Sequence, residues 1–151
     1  MRIGEILQLS RVTTTLDATD KEGAIRALAE LVTQGEATLD PEQVYEVLSN
    51  RERIASTGVG SGIAIPHGRV AKIGSVRAAL GIHPEGIPFD SVDGEPVRIF
   101  VAVLAPEGQP SQHLKTLAGI SRVLRDPGVR RRLLEAEGPE ALLSALVEAE
   151  G

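Results

Sequence analysis

The 151-residue chain has no cysteine and no tryptophan, and only Tyr45, Phe89 and Phe100 are aromatic. Without thiols, disulfides, thiolate catalysis and cysteine metal sites are excluded. With so few aromatics there is no platform on which nucleic-acid bases could stack, and the core must be built from Leu, Val, Ile and Ala. Positive charge is not in excess either. A net charge of −5 and a pI near 5.2 give no basic stripe to follow a phosphate backbone, so no nucleic-acid partner is expected. No apolar run reaches bilayer length, and Met1-Arg2-Ile3-Gly4-Glu5 is no signal peptide, so membrane insertion is not expected and the cytoplasm is. Linkers, repeats and low-complexity stretches are missing as well, so residues 1–151 are read as one domain.

The apolar residues that are present recur in clear periods. Asp20 to Gln34 carries Ile25, Leu28, Ala29 and Val32 at helical spacing and stops at Gly35. A second helix is predicted from Asp40-Pro41, a cap followed by a first-turn proline, with Val44, Val47 and Leu48 on its stripe. Extending that stripe by one turn reaches Arg51, which is therefore expected on the inward face or its rim. Ser56 to Gly62 is too rich in glycine for a regular element. Ile63-Ala64-Ile65 reads as a brief strand ended by Pro66, which leaves His67 at a strand end. Val76 to Ile82 and Val97 to Leu104 have strand composition, with a turn at Asp93-Gly94 and a further short strand at Phe89 to Val92. Three more helices follow, capped at Ser111, Asp126-Pro127 and Gly138-Pro139. Helices at both ends and strands between them predict an α/β fold, a central mixed β-sheet flanked by helices on both faces.

With thiols absent, chemistry falls to the three histidines, the carboxylates and the hydroxyls. His67 follows a glycine-rich loop, whose amides suit an anion formed on a nearby imidazole, and it is substantially neutral near pH 7. The alternative is a loop histidine bonded to a carbonyl. His113 in a first helical turn is either a donor to an anion or a solvent-exposed residue. Arg51 either meets an anion or caps helix carbonyls. His83 reads as structural, and Glu52, Arg53 and Arg130-Arg131-Arg132 as solvated helix faces. No two histidines are spaced as metal ligands and no G-x-S-x-G elbow is present, so neither a metal, a cofactor nor a hydrolytic triad is expected.

Asn50-Arg51-Glu52, then Ser56 through Gly68 with Ile65-Pro66-His67-Gly68 at its end, together with Pro88 to Asp93, Val101 to Pro106 and His113-Leu114, resembles the enzyme IIA domain of the fructose/mannitol class of the bacterial phosphotransferase system. Within that class the chain looks most like the free-standing nitrogen-regulatory type. The resemblance implies that His67 is phosphorylated, that His113 donates to the phosphate, and that Arg51 supports it. The loop of Thr57, Gly58, Gly60 and Gly62 is expected to contribute amides. By the same resemblance the donor is the histidine-containing phosphocarrier protein. The receiver is a regulated protein or, in a transport role, an enzyme IIB domain.

Overall fold

The computed structural model describes residues 2–151. Its strands are β1 (Val12–Thr13), β2 (Gly58–Gly60), β3 (Ile63–Ala64), β4 (His67–Val70), β5 (Arg77–Ile87) and β6 (Val97–Pro106). Its helices are α1 (Ile3–Ile6), α2 (Lys21–Val32), α3 (Pro41–Ile54), α4 (Pro110–Leu124), α5 (Pro127–Glu135) and α6 (Pro139–Glu150). The strands form one mixed sheet in the order β1-β5-β6-β3-β2, with β4 also on β6. β5 and β6 run antiparallel, as do β2 and β3, while β1 runs parallel to β5, and β3 and β4 run parallel to β6.

Alternation along β6 sends Ile99, Val101, Val103 and Ala105 into a core shared with α1, α4, α5 and α6. Phe100, Ala102 and Leu104 enter a second core with α2 and α3, where Phe100 meets Phe89 edge to face at 5.5 Å. A strand buried on both faces must be apolar, which explains the unbroken apolar run from Ile99 to Pro106. The expected mixed sheet with helices on both faces is thus found, as are the caps of α2 and α3. Asp20 accepts from the Gly23 amide at 2.8 Å and Asp40 from the Glu42 amide at 3.1 Å.

Four local expectations are corrected. The glycine-rich stretch does contain a strand, β2, because Gly60 (φ 98°), Ser61 (φ 59°) and Gly62 (φ 77°) turn the chain back onto β3. Phe89 to Val92 is not a strand; Ser56 Oγ and the turn closed by Gly94 N–H on Ser91 O hold it instead. α4 begins two residues earlier than expected, after Gln109 rather than Ser111, with Pro110 in its first turn and no side-chain cap bond from Gln109. β5 continues past His83-Pro84 to Ile87, because the register on β6 shifts between Ile82 and Ile87 and absorbs the proline.

Pro66 interrupts its strand without ending it. Ile63 and Ala64 pair with Ile99 and Phe100, and after the break His67 and Gly68 pair with Val103 and Leu104 in unchanged register. Pro66 has no amide to give but still accepts from Val103 N–H at 2.9 Å. The break therefore turns the chain locally while β6 keeps hold of it on both sides.

Gly68 fixes how closely α3 approaches β4. A Cβ built there overlaps the Val47 side chain of α3. Gly68→Ala is expected to lower stability by about 1–3 kcal/mol, the usual cost of overpacking, since β-branched Val47 has one favoured rotamer on a helix. Urea denaturation measures it; an unchanged midpoint would mean that α3 withdraws freely.

Candidate active site

β4 pairs only with β6, so at this height it is the edge of the sheet. α3 reaches that edge from one face and α4 from the other. Between them lies an open cavity of about 780 Å³ lined by Val47, Asn50, Arg51 and Ile54 of α3, His67, Gly68 and Arg69 of β4, and Glu107, Pro110, His113 and Leu114 around the start of α4. His67, His113 and Arg51, far apart in sequence, are brought together here.

His67 opens β4, and its Nδ1 lies 2.7 Å from the Ile65 carbonyl oxygen. A carbonyl only accepts, so Nδ1 carries the proton and Nε2 carries the lone pair. Burial pushes the His67 pKa below the ordinary imidazole value, and the Arg51 charge adds to this; the Ile65 carbonyl and the Glu52 carboxylate oppose it without reversing it. The ring is neutral at pH 7 with one nitrogen free.

His113 stands 5.3 Å away, ring centroid to ring centroid, with the planes tilted by 57°. It is 8% exposed, so the solvent-exposed reading of this residue is not what the fold adopts. Its Nδ1 is sealed and without a partner, while the residue as a whole lines the cavity. Burial, and after it the charges of His67 and Arg69, bring its pKa down to about 4. In the unfolded chain a histidine titrates near 6.5, so between about pH 6.5 and 4 the unfolded state binds the extra proton and stability falls as pH falls. His113→Gln is expected to lose less stability than the wild type between pH 7 and 5, read as the shift in urea midpoint. Equal shifts would show that His113 titrates normally in the fold.

Arg51 lines the cavity near the end of α3 and donates from Nη1 to the Ala55 carbonyl at 2.8 Å. Of the two alternatives stated for it, the cap on the helix end is the one the fold shows, and the same residue borders the cavity. Arg69 adds a second cation there, and the N-terminus of α4 opens on the same space. Glu107 is the one carboxylate in the lining. The arrangement favours a compact anion beside a neutral imidazole.

The glycine-rich loop is placed differently. Thr57, Gly58, Gly60 and Gly62 are not among the lining residues. Thr57 gives both its amide, at 2.9 Å, and its hydroxyl to Glu52, and the Gly58 amide goes to Ser56 Oγ at 3.0 Å. Gly60 and Ser61 border a separate cavity of about 280 Å³. Glu52 overturns its reading as a solvated residue: it is 7% exposed and ion-paired with Lys21 at 2.9 Å, outside hydrogen-bond alignment. Burial alone would raise its pKa, but the contacts from Lys21 and Thr57 outweigh it and hold the carboxyl below its usual range. The signal that could have exposed it is its position, one residue beyond Arg51 and four beyond buried Leu48 on the same helix. His83 is structural as expected: Gly86 N–H donates to Nδ1, so Nε2 donates to the Ala18 carbonyl at 2.8 Å.

Residues 5–149 match the protein-family model described as "Phosphoenolpyruvate-dependent sugar phosphotransferase system, EIIA 2". The chain belongs to that enzyme IIA family. It is 35% identical over 150 residues to a nitrogen regulatory protein of Bradyrhizobium diazoefficiens, covering 97% of this chain and 95% of that one. Over 146 residues it is 34% identical to the fructose-specific EIIA component of Haloferax volcanii, with 97% and 95% covered. The fructose-specific EIIABC component of Bacillus subtilis is 31% identical over 146 residues, and the chain spans 23% of its length. Among solved structures, the nitrogen regulatory protein IIA-Ntr of Neisseria meningitidis superposes with a TM-score of 0.89 at 32% identity, covering 95% of this chain and 98% of that one. Among the described residues of this enzyme IIA chain, no helix is long and apolar enough to cross a membrane, and no group of His, Cys, Asp and Glu could hold a metal ion.

Proposed function

We propose that this enzyme IIA chain is a cytoplasmic phosphoryl carrier that accepts a phosphoryl group from the histidine-containing phosphocarrier protein onto Nε2 of His67 and passes it to a second protein. One observation carries the reading: the His67 ring has Nδ1 committed to Ile65 O and Nε2 open to a cation-lined cavity 5.3 Å from a second neutral imidazole. The lone pair of Nε2 attacks phosphorus in line with the donor's P–N bond, which breaks with its electron pair returning to the donor imidazole. Positive charge develops on the His67 ring as the new bond forms, and the Ile65 carbonyl accepting from Nδ1–H stabilises it. The Arg51 fork and His113 Nε2–H bind the transferred oxygens. Such fixed dipoles and charges favour the transition state without reorganising.

Ile54 and Leu114 are 81% and 67% exposed at the rim of the cavity, apolar surface on which donor and receiver would dock in turn. A regulated protein as receiver is supported by the nitrogen regulatory relatives matched over nearly their full length. An enzyme IIB domain as receiver is favoured instead by the full-length match to a fructose-specific EIIA component. The test is incubation with phosphoenolpyruvate, enzyme I and the phosphocarrier. The expected product is one acid-labile phosphate per chain on Nε2 of His67, located by mass spectrometry and nitrogen-15 NMR. Uptake at another residue, or none, would refute the proposal. Adding an enzyme IIB domain then separates the two receivers by whether the label moves.

A further inference from the structure

Glu52 does not touch the cavity, yet a continuous set of hydrogen bonds runs from it to the His67 ring. Its Oε1 accepts from both the amide and the hydroxyl of Thr57. The Thr57 carbonyl accepts from Ile65 N–H at 3.0 Å. The Ile65 carbonyl accepts from His67 Nδ1–H at 2.7 Å. Each link fixes the peptide that makes the next. Pro66 removes the remaining slack, because a residue before proline is confined to extended backbone, so the Ile65 carbonyl has little freedom to swing. Lys21 holds the carboxylate from the other side, bridging Glu52 at 2.9 Å and Asp90 at 3.3 Å.

We propose that Glu52 is a positioning residue for phosphoryl transfer: through Thr57 and Ile65 it holds His67 in the Nδ1–H tautomer and keeps Nε2 unprotonated and facing the cavity. This rests on the reading of His67 as the phosphoryl acceptor. A neutral imidazole in water exchanges freely between its two tautomers, and only one of them presents a lone pair at Nε2. A carboxylate that is 7% exposed and makes two bonds to one residue acts as a rigid anchor for the loop. It thereby decides which nitrogen can react without contacting the phosphate.

The test separates geometry from charge and from mere stability. Nitrogen-15 NMR of the unphosphorylated protein reads the His67 tautomer directly, whether or not the protein ever accepts a phosphate. The wild type is expected to show Nδ1–H alone. Glu52→Ala should show a mixture of tautomers and a roughly tenfold lower rate of phosphoryl uptake at saturating donor, the scale of one lost hydrogen bond, with KM for the donor unchanged. Glu52→Gln keeps an acceptor at Oε1 and should restore both the single tautomer and most of the rate. Thr57→Val removes only the hydroxyl bond and serves where Glu52→Ala does not fold; it should shift the tautomer in the same direction by less. A folded Glu52→Ala or Thr57→Val with His67 wholly Nδ1–H would overturn the proposal, as would a Glu52→Gln as impaired as Glu52→Ala, which would assign the effect to charge. An Nδ1–H tautomer controlled by Glu52 in a protein that takes up no phosphate would leave the relay standing and remove the carrier function.

Discussion

His67→Ala is expected to take up no phosphate from the phosphorylated donor, its rate falling to background, at least about 10³-fold below wild type, because the atom proposed to form the bond is gone. His113 is no substitute. Its Nδ1 is sealed, and the proposed mechanism leaves its Nε2 only the part of a donor to the phosphate. The fold survives the change: His67 is partly exposed and makes one hydrogen bond, so the stability loss should stay within about 1 kcal/mol. Phosphate transfer monitored with labelled phosphoenolpyruvate, alongside circular dichroism, reads both outcomes. Labelling of a folded His67→Ala at the wild-type rate would remove His67 from the mechanism. Labelling lost in His113→Ala but kept in His67→Ala would exchange the two roles.

Arg51→Ala is expected to slow uptake by about 10²-fold, the scale found when one preorganised donor to a developing anion is deleted. Arg51→Lys should recover only part of this. An ammonium supplies a point charge but not the planar fork that grips two oxygens at once, nor does its shorter reach span from helix to cavity in the same way. The structure adds a cost, since Arg51 caps Ala55 O and a lysine makes that contact less well. Both variants should therefore fray the end of α3, and hydrogen exchange at residues 52–56 would show it. If Arg51→Lys matches wild type in rate while the helix end frays, the arginine serves only as a cap.

The large elements were legible because their signals are local. Asp20, Asp40 and Asp126 sit where caps are needed, and all three accept from amides in the first turns that follow them. β6 could be read from its apolar run, broken only by Arg98, because both its faces are buried. The place of His67 was legible from its neighbours, Pro66 and Gly68, and each has a spatial reason: one redirects the strand, the other admits α3. What could not be read depends on contacts distant in sequence. α1 and β1 gave no signal, since a helix of four residues and a strand of two are held by α6 and β5 and not by their own periodicity. β2 hid behind its glycines, whose positive φ values shape the turn but say nothing of the ladder beside it. Glu52 looked solvated because its partners, Lys21 and Thr57, come from different elements. The glycine-rich loop was expected at the phosphate because amides seemed free; in the fold the Thr57 and Gly58 amides are already taken.

The place of β4 on the sheet bears on how this protein fails when it is damaged. β6 from Val103 to Pro106 is wholly apolar and offers a row of peptide groups along one side, the kind of strand onto which other chains add themselves. The four residues that cover it are the strand that opens with His67. Being short, interrupted by a proline upstream and bearing exposed Arg69, β4 makes a poor template in its own right. The segment to which the proposed chemistry is assigned thus also covers the aggregation-prone side of β6. A change that loosens it, Gly68→Ala above all, should be seen first as lost solubility on mild warming and only afterwards as lost phosphoryl transfer.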